Sequence, residues 1–120
     1  KIKNFFLIYN CRILGTLTAI VLPQSFTSKS CVRAADFDND GDLDLFIADR
    51  VEPWNYPKPV SSFIYRNDSK KGTIKFTDVT SATASSLINI GLICDGVRTD
   101  FDSDGWQDLI LAGMDAGKIF

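Results

Sequence analysis

Nine consecutive residues, Asp36-Phe-Asp-Asn-Asp-Gly-Asp-Leu-Asp44, place a carboxylate at every second position. A second stretch, Asp100-Phe-Asp-Ser-Asp-Gly-Trp-Gln-Asp108, follows 64 residues later. The two share Asp36/Asp100, Phe37/Phe101, Asp38/Asp102, Asp40/Asp104, Gly41/Gly105, Asp44/Asp108, Leu45/Leu109 and Ala48/Ala112, which makes them copies of one unit. The chemistry that fits this spacing is ligation of calcium. A hard cation takes six to eight oxygens, and a tight loop supplies them from side chains at positions 1, 3 and 5 and a carbonyl at position 7. In the first copy these are Asp36, Asp38, Asp40 and the carbonyl of Asp42, with Asp44 closing the shell at position 9. In the second they are Asp102 flanked by Asp100 and Asp104, the carbonyl of Trp106, and Asp108. Gly41 and Gly105 stand where the loop must turn through positive φ. The alternative is a pair of acidic, solvated turns. Against it, carboxylates crowded into one turn repel one another unless a cation or water screens them.

The rest of the composition narrows the chemistry. Thirteen basic and 15 acidic residues leave a formal charge of -2, the acid is concentrated in the loops, and no Lys/Arg cluster points to nucleic acid. The chain has no histidine, which excludes Ser-His-Asp catalysis and His-containing zinc sites within this stretch. Cys11, Cys31 and Cys94 form no C-x-x-C pair. Cys31 and Cys94 fall at nearly the same place in the two copies, where either a disulfide or two separate buried thiols would fit. The apolar runs Phe5 to Tyr9 and Ile13 to Leu22 are interrupted or too short for a bilayer span, which needs about 20 residues. With a 64-residue period both ends fall in mid-repeat, so the chain is expected to be part of a longer repeat protein.

The elements that must position the loops read as strands. Cys31 to Asp36 enters the first loop, and Leu43 to Ala48 leaves it as an apolar run suited to burial on both faces. An EF-hand is excluded because it needs a bidentate Glu at position 12, where Ile47 and Leu111 stand here. Glu52 to Pro59 is a proline-stiffened loop carrying Trp54 and Tyr56. Ser61 to Arg66 and Ile74 to Thr80 supply a third and a fourth strand, separated by a polar turn from Asn67 to Gly72. Ser81 to Gly91 is a connection that can hold a helical turn, and Leu92 to Asp100 restarts the cycle. Pro23 to Ser30 reads as a connection and residues 1–22 as outer strands of a preceding unit. The fold class is therefore all-β, with antiparallel four-stranded blades of a β-propeller. The division is 1–22 from a preceding blade, 23–92 as one complete blade, and 93–120 as the start of the next. A calcium-loaded wire of the thrombospondin type would crowd its aspartate motifs more closely.

The loop motif, followed by a strand and then by Phe-Ile-Tyr-Arg-Asn-Asp and Phe-Thr-Asp-Val-Thr, resembles the FG-GAP/VCBS repeats of integrin-α-like propellers. It is most similar to secreted bacterial proteins related to cartilage acidic protein. The resemblance covers roughly Leu22 to Gly113. It implies calcium in the loop between the first two strands and an extracellular or cell-surface protein that is not itself an enzyme. It further implies a protein or glycan partner on the opposite face, where Trp54 and Tyr56 are the candidate contacts; the alternative for these rings is packing onto their own blade. The remaining blades of a propeller would be further partners. The rival functional class is a propeller segment of a secreted carbohydrate-active enzyme such as a polysaccharide lyase. Outside the loops the acids Asp49, Glu52, Asp68, Asp78, Asp95 and Asp115 are scattered and read as solvated charges.

Overall fold

The computed structural model describes residues 22–23, 25–71, 73–114 and 118–119, and the expectation for residues 1–21 lies outside them. The regular structure of the described residues is almost entirely antiparallel β. A four-stranded meander is formed by β1 (Ser28–Ala35), β2 (Asp44–Val51), β3 (Phe63–Asn67) and β4 (Phe76–Asp78), hydrogen-bonded in chain order. A second sheet follows in the same order from β5 (Ile93–Thr99), β6 (Asp108–Gly113) and β7 (Lys118–Ile119). Between them lie one helical turn, α1 (Thr80–Thr83), and a 3-10 turn at Ser85–Leu87. No helix among the described residues is long and apolar enough to cross a membrane.

The alternation of β2 explains the layering. Phe46 and Ala48 point to one face, where they meet Ile64, Leu87, Ile93, Leu109 and Leu111; Leu45 and Ile47 point to the other and pack with Tyr65. Strand β2 is thus buried on both faces, as its unbroken apolar run requires. The larger cluster lies between the two sheets, and its contributors come from both. At the 64-residue offset Leu109 and Leu111 correspond to Leu45 and Ile47. The face that β6 turns toward the first sheet is therefore the copy of the face that β2 turns away from the second, and the sheets stack head to tail.

Strands β1 and β5 lie side by side and run the same way. Arg33 on β1 donates from Nε to the Gly96 carbonyl at 2.6 Å and pairs with Asp95, and further along, Arg98 on β5 reaches Phe37. Both aspartate loops consequently stand at one end of the stacked sheets. At the other end the connection after β2 is stitched to the connection that precedes β5. Ser62 N–H donates to Leu87 O at 3.0 Å, Gly91 N–H to Val60 O at 3.3 Å and Asn89 N–H to Ser61 Oγ at 2.9 Å.

Several boundaries differ from the sequence expectation. Strand β1 begins at Ser28, inside the expected connection, because Lys29 and the Thr27 hydroxyl both bind the buried Asp49 carboxylate and carry the ladder outward. Strand β4 is shorter than Ile74 to Thr80. Asp78 Oδ1 accepts from Thr80 N–H at 2.9 Å and from Thr80 Oγ1 at 2.6 Å, and this local competitor bends the chain into α1. Cys31 and Cys94 are both free thiols, the first half-buried and the second exposed. They are not equivalent in register: Cys31 faces Ala48, whereas Asp95 faces Ala112 and Cys94 sits where the β5–β6 pairing skips a residue.

Gly96 sets how closely the sheets approach. A Cβ there would lie 2.8 Å from Leu111 Cδ2 and 3.3 Å from Phe46 Cε1, both in the core between the sheets. Gly96→Ala is expected to cost about 1–3 kcal/mol through overpacking, read as a lower urea midpoint with an unchanged m-value.

Candidate metal centre

Each aspartate loop is held in shape by its own carboxylates before any ligand is considered. In the first, Asp36 accepts from Asp40 N–H at 3.1 Å and Gly41 N–H at 2.8 Å, and Asp40 Oδ1 accepts from Asp42 N–H at 2.9 Å. In the second, Asp100 accepts from Asp104 N–H at 3.0 Å and Gly105 N–H at 2.9 Å, and Asp104 Oδ1 accepts from Trp106 N–H at 2.8 Å. The backbone matches as well: Gly41 and Gly105 have φ of 93° and 90°, and Asn39 and Ser103 have 58° and 61°. The glycines were legible from sequence. The left-handed residues two places earlier were not, although Asn is the non-glycine residue that most readily tolerates that region.

The carboxylates converge in two groups of three, Asp36 with Asp38 and Asp40, and Asp100 with Asp102 and Asp108; within each, one oxygen per residue lies within 4.8 Å of the others. Asp42 and Trp106 have exposed side chains, compatible with a position that lends only its carbonyl. Asp104 stands in the loop but outside the second group.

The residues at position 9 behave differently in the two copies. Asp108 accepts from Phe101 N–H through Oδ2 at 2.8 Å and takes part in the converged group. Asp44 makes the same bond, from Phe37 N–H to Oδ2 at 3.1 Å, but its Oδ1 also accepts from Asn67 N–H on β3 at 2.7 Å. That second bond draws Asp44 toward the third strand and leaves it completely buried, outside the group of three. Sequence reasoning treated Asp44 as a ligand alone; the structure makes it the tie between loop, β2 and β3. Nothing in the sequence marks the Asn67 N–H as its donor.

The donor set suits a hard cation, being carboxylate and backbone oxygen with no sulfur or imidazole. Asp38 Oδ1 adds a specific observation: it is shut off from solvent and receives no hydrogen bond among the described residues. An orphaned buried carboxylate oxygen between two other carboxylates is costly, and a divalent cation is the partner that would satisfy all three.

Two carboxyls of the first loop are held above their ordinary value, with burial as the first cause. Desolvation, and then the charge of Asp40, holds the Asp38 carboxyl above its ordinary value of 3.8. Burial also raises Asp44, and the Asn67 and Phe37 N–H bonds partly offset it. A carboxyl whose folded pKa exceeds the unfolded one is harder to ionise in the folded chain. Stability is therefore lost as pH rises from the unfolded value through the raised one. In metal-depleted protein the melting temperature of Asp38→Asn relative to the unsubstituted chain is therefore expected to rise as pH rises from about 3.8 through that window.

No family model and no solved structure matches the chain. Among curated proteins it is similar to histone-lysine N-methyltransferase met-2 of Caenorhabditis elegans. The two are 33% identical over 95 residues, covering 68% of this chain and 7% of that protein. The chain thus spans a small part of the curated relative that it matches.

Proposed function

We propose that this chain is a calcium-binding repeat module without catalytic activity, built from blades of a β-propeller related to the FG-GAP/VCBS class. The observation that carries the cation reading is Asp38 Oδ1, buried without a donor inside a group of three carboxylates whose loop geometry recurs at the second copy. The propeller reading is supported by the meander order of each sheet and by head-to-tail stacking through equivalent faces, an arrangement that continues by adding further sheets. The methyltransferase activity in the relative's name is not carried over, because the common stretch is 7% of that protein.

Calcium in this reading is structural. Each loop joins two neighbouring strands, and neutralising its carboxylates removes repulsion at the hairpin end. Calorimetric titration is expected to find two sites that prefer calcium to magnesium. Replacing Asp38 and Asp102 together by Ala should lower the melting temperature in calcium and change it little in chelator; equal losses in both conditions would sink the structural role.

The partner surface in this reading is the end opposite the loops. Trp54 is fully exposed and Tyr56 is 63% exposed, so neither ring packs down on its own sheet. Trp54 also adopts a φ of 68°, a costly conformation for an aromatic residue, inside a turn closed by Asn55 N–H to Glu52 O and by the Lys58–Glu52 ion pair. A protein or glycan ligand in an extracellular or cell-surface setting fits such rings. On a glycan array or against immobilised extracellular protein, Trp54→Ala should reduce capture by tenfold or more, about 1.4 kcal/mol, with no change in melting temperature. Undiminished capture would remove Trp54 from the surface.

A further inference from the structure

Arg98 faces Leu109 across the β5–β6 ladder, at the register place that Ala34 holds opposite Leu45 in the first sheet. Its side chain crosses to the neighbouring sheet and lies over the Phe37 ring, 5.7 Å from the guanidinium carbon to the ring centroid. Its Nε and Nη1 are shut off from solvent and have no hydrogen-bond acceptor among the described residues. Stripping water from a guanidinium in this way is unfavourable unless something compensates. Two features on the page do so. The ring face of Phe37 is one, and it belongs to the residue whose own N–H holds Asp44 Oδ2. The other is the carboxylate of Asp44, completely buried, without a salt-bridge partner of its own among the described residues, and bonded to the N–H of the same Phe37 whose ring Arg98 covers; a negative charge so placed favours the charged form of Arg98. Arg66, the other cation that feels the charges of Asp38 and Asp44, is held by both oxygens of Asp68 at 2.9 and 3.3 Å.

We propose that Arg98 is the counter-charge of the first aspartate loop, supplied by the neighbouring sheet, so that the charge in the loop and the closeness of the two sheets are coupled. The placement of Arg98 at the first loop stands on its contact with the Phe37 ring and on the bond from Phe37 N–H to Asp44; its consequence for calcium rests on the cation reading given above. A divalent cation entering among Asp36, Asp38 and Asp40 is repelled by Arg98, which makes the first loop a weaker site than its five aspartates alone would give. None of the described ion pairs or cation–ring contacts reaches the second loop. The guanidinium of Arg98 lies over Phe37 of the first loop, so its effect is expected to be the greater there, although its backbone stands two residues from Asp100.

The test has a metal-free arm and a calcium arm. In metal-depleted protein, urea denaturation is measured for Arg98→Met, Asp44→Asn and the double variant. The loss caused by Arg98→Met should shrink clearly in the Asp44→Asn background, whereas equal losses in both backgrounds overturn the pairing. In the second arm, calorimetry with calcium is run on Arg98→Met in chains carrying Asp102→Ala or Asp38→Ala, which leave one loop intact. The first loop should tighten by about 3- to 10-fold and the second by clearly less, as expected for one partly screened charge held over the first loop. An unchanged or weakened first loop overturns the coupling to calcium. Arg98→Lys, which keeps the charge without the flat face, should leave first-loop affinity near wild type. If Arg98→Met does not fold, restoration of folding by Asp44→Asn supports the pairing and its absence refutes it. A wild-type chain that binds no calcium removes the function proposed above, while the metal-free arm still decides the role of Arg98.

Discussion

A carboxylate taken out of water must be met from within the protein, and the way Asp44 is met organises this structure. Its oxygens receive one N–H from the loop that precedes β2 and one from β3, so a single side chain holds a loop, its own strand and the next strand in register. Burial raises the cost of its charge, and that cost is lowered by donors whose positions the sheet fixes. The N–H that holds its Oδ2 belongs to Phe37, whose ring meets Arg98 of the second sheet. Loop shape, hairpin register and sheet stacking are therefore conditions for one another.

The loops above Asp44 are preorganised by backbone bonds to Asp36 and Asp100, and this arrangement gathers like charges instead of spreading them. Left-handed residues at Asn39 and Ser103 let the chain fold back tightly enough for the carboxylates to converge. The loop backbone repeats these features at matched positions, while the carboxylates that converge differ between the copies, Asp40 in the first and Asp108 in the second. An acidic surface turn that served only to reverse the chain would need neither the positive φ at a non-glycine residue nor a buried carboxylate oxygen without a donor.

How much of this was legible depended on whether the signal was local. The aspartate spacing, the turning glycines, the two-faced burial of β2 and the helical turn after β4 are all written in runs of a few residues, and the sequence carries them openly. Strand ends were harder, since β1 is lengthened by Lys29 and Thr27 reaching a residue on the partner strand, and β4 is cut short by one Asp78 carboxylate. The two cysteines stand at nearly the same place by counting, but they are 63 residues apart, and that one-residue difference puts Cys94 at the skipped place that Ser30 holds in β1. Arg98 carried no signal, because its environment is made by residues more than fifty positions away on another sheet. Periodicity reports on the face a residue shares with its neighbours in sequence; it is silent on which distant charge will lie across the seam.

The main apolar cluster has an evolutionary consequence. It belongs to no single sheet: Phe46, Ala48 and Ile64 come from one, and Ile93, Leu109 and Leu111 from the next. In the proposed blade reading a cluster of this kind is a joint between successive modules, each of which would bring half of the joint before it and half of the joint after it. Tandem duplication of such a unit is then permissive, because an inserted copy meets on both sides the half-joints it already matches. Point substitutions are the opposite. A change in Gly96 or Phe46 alters a mating surface, and its remedy has to arise in another module. Chains built this way should change length in whole modules more readily than they change the residues at the joints.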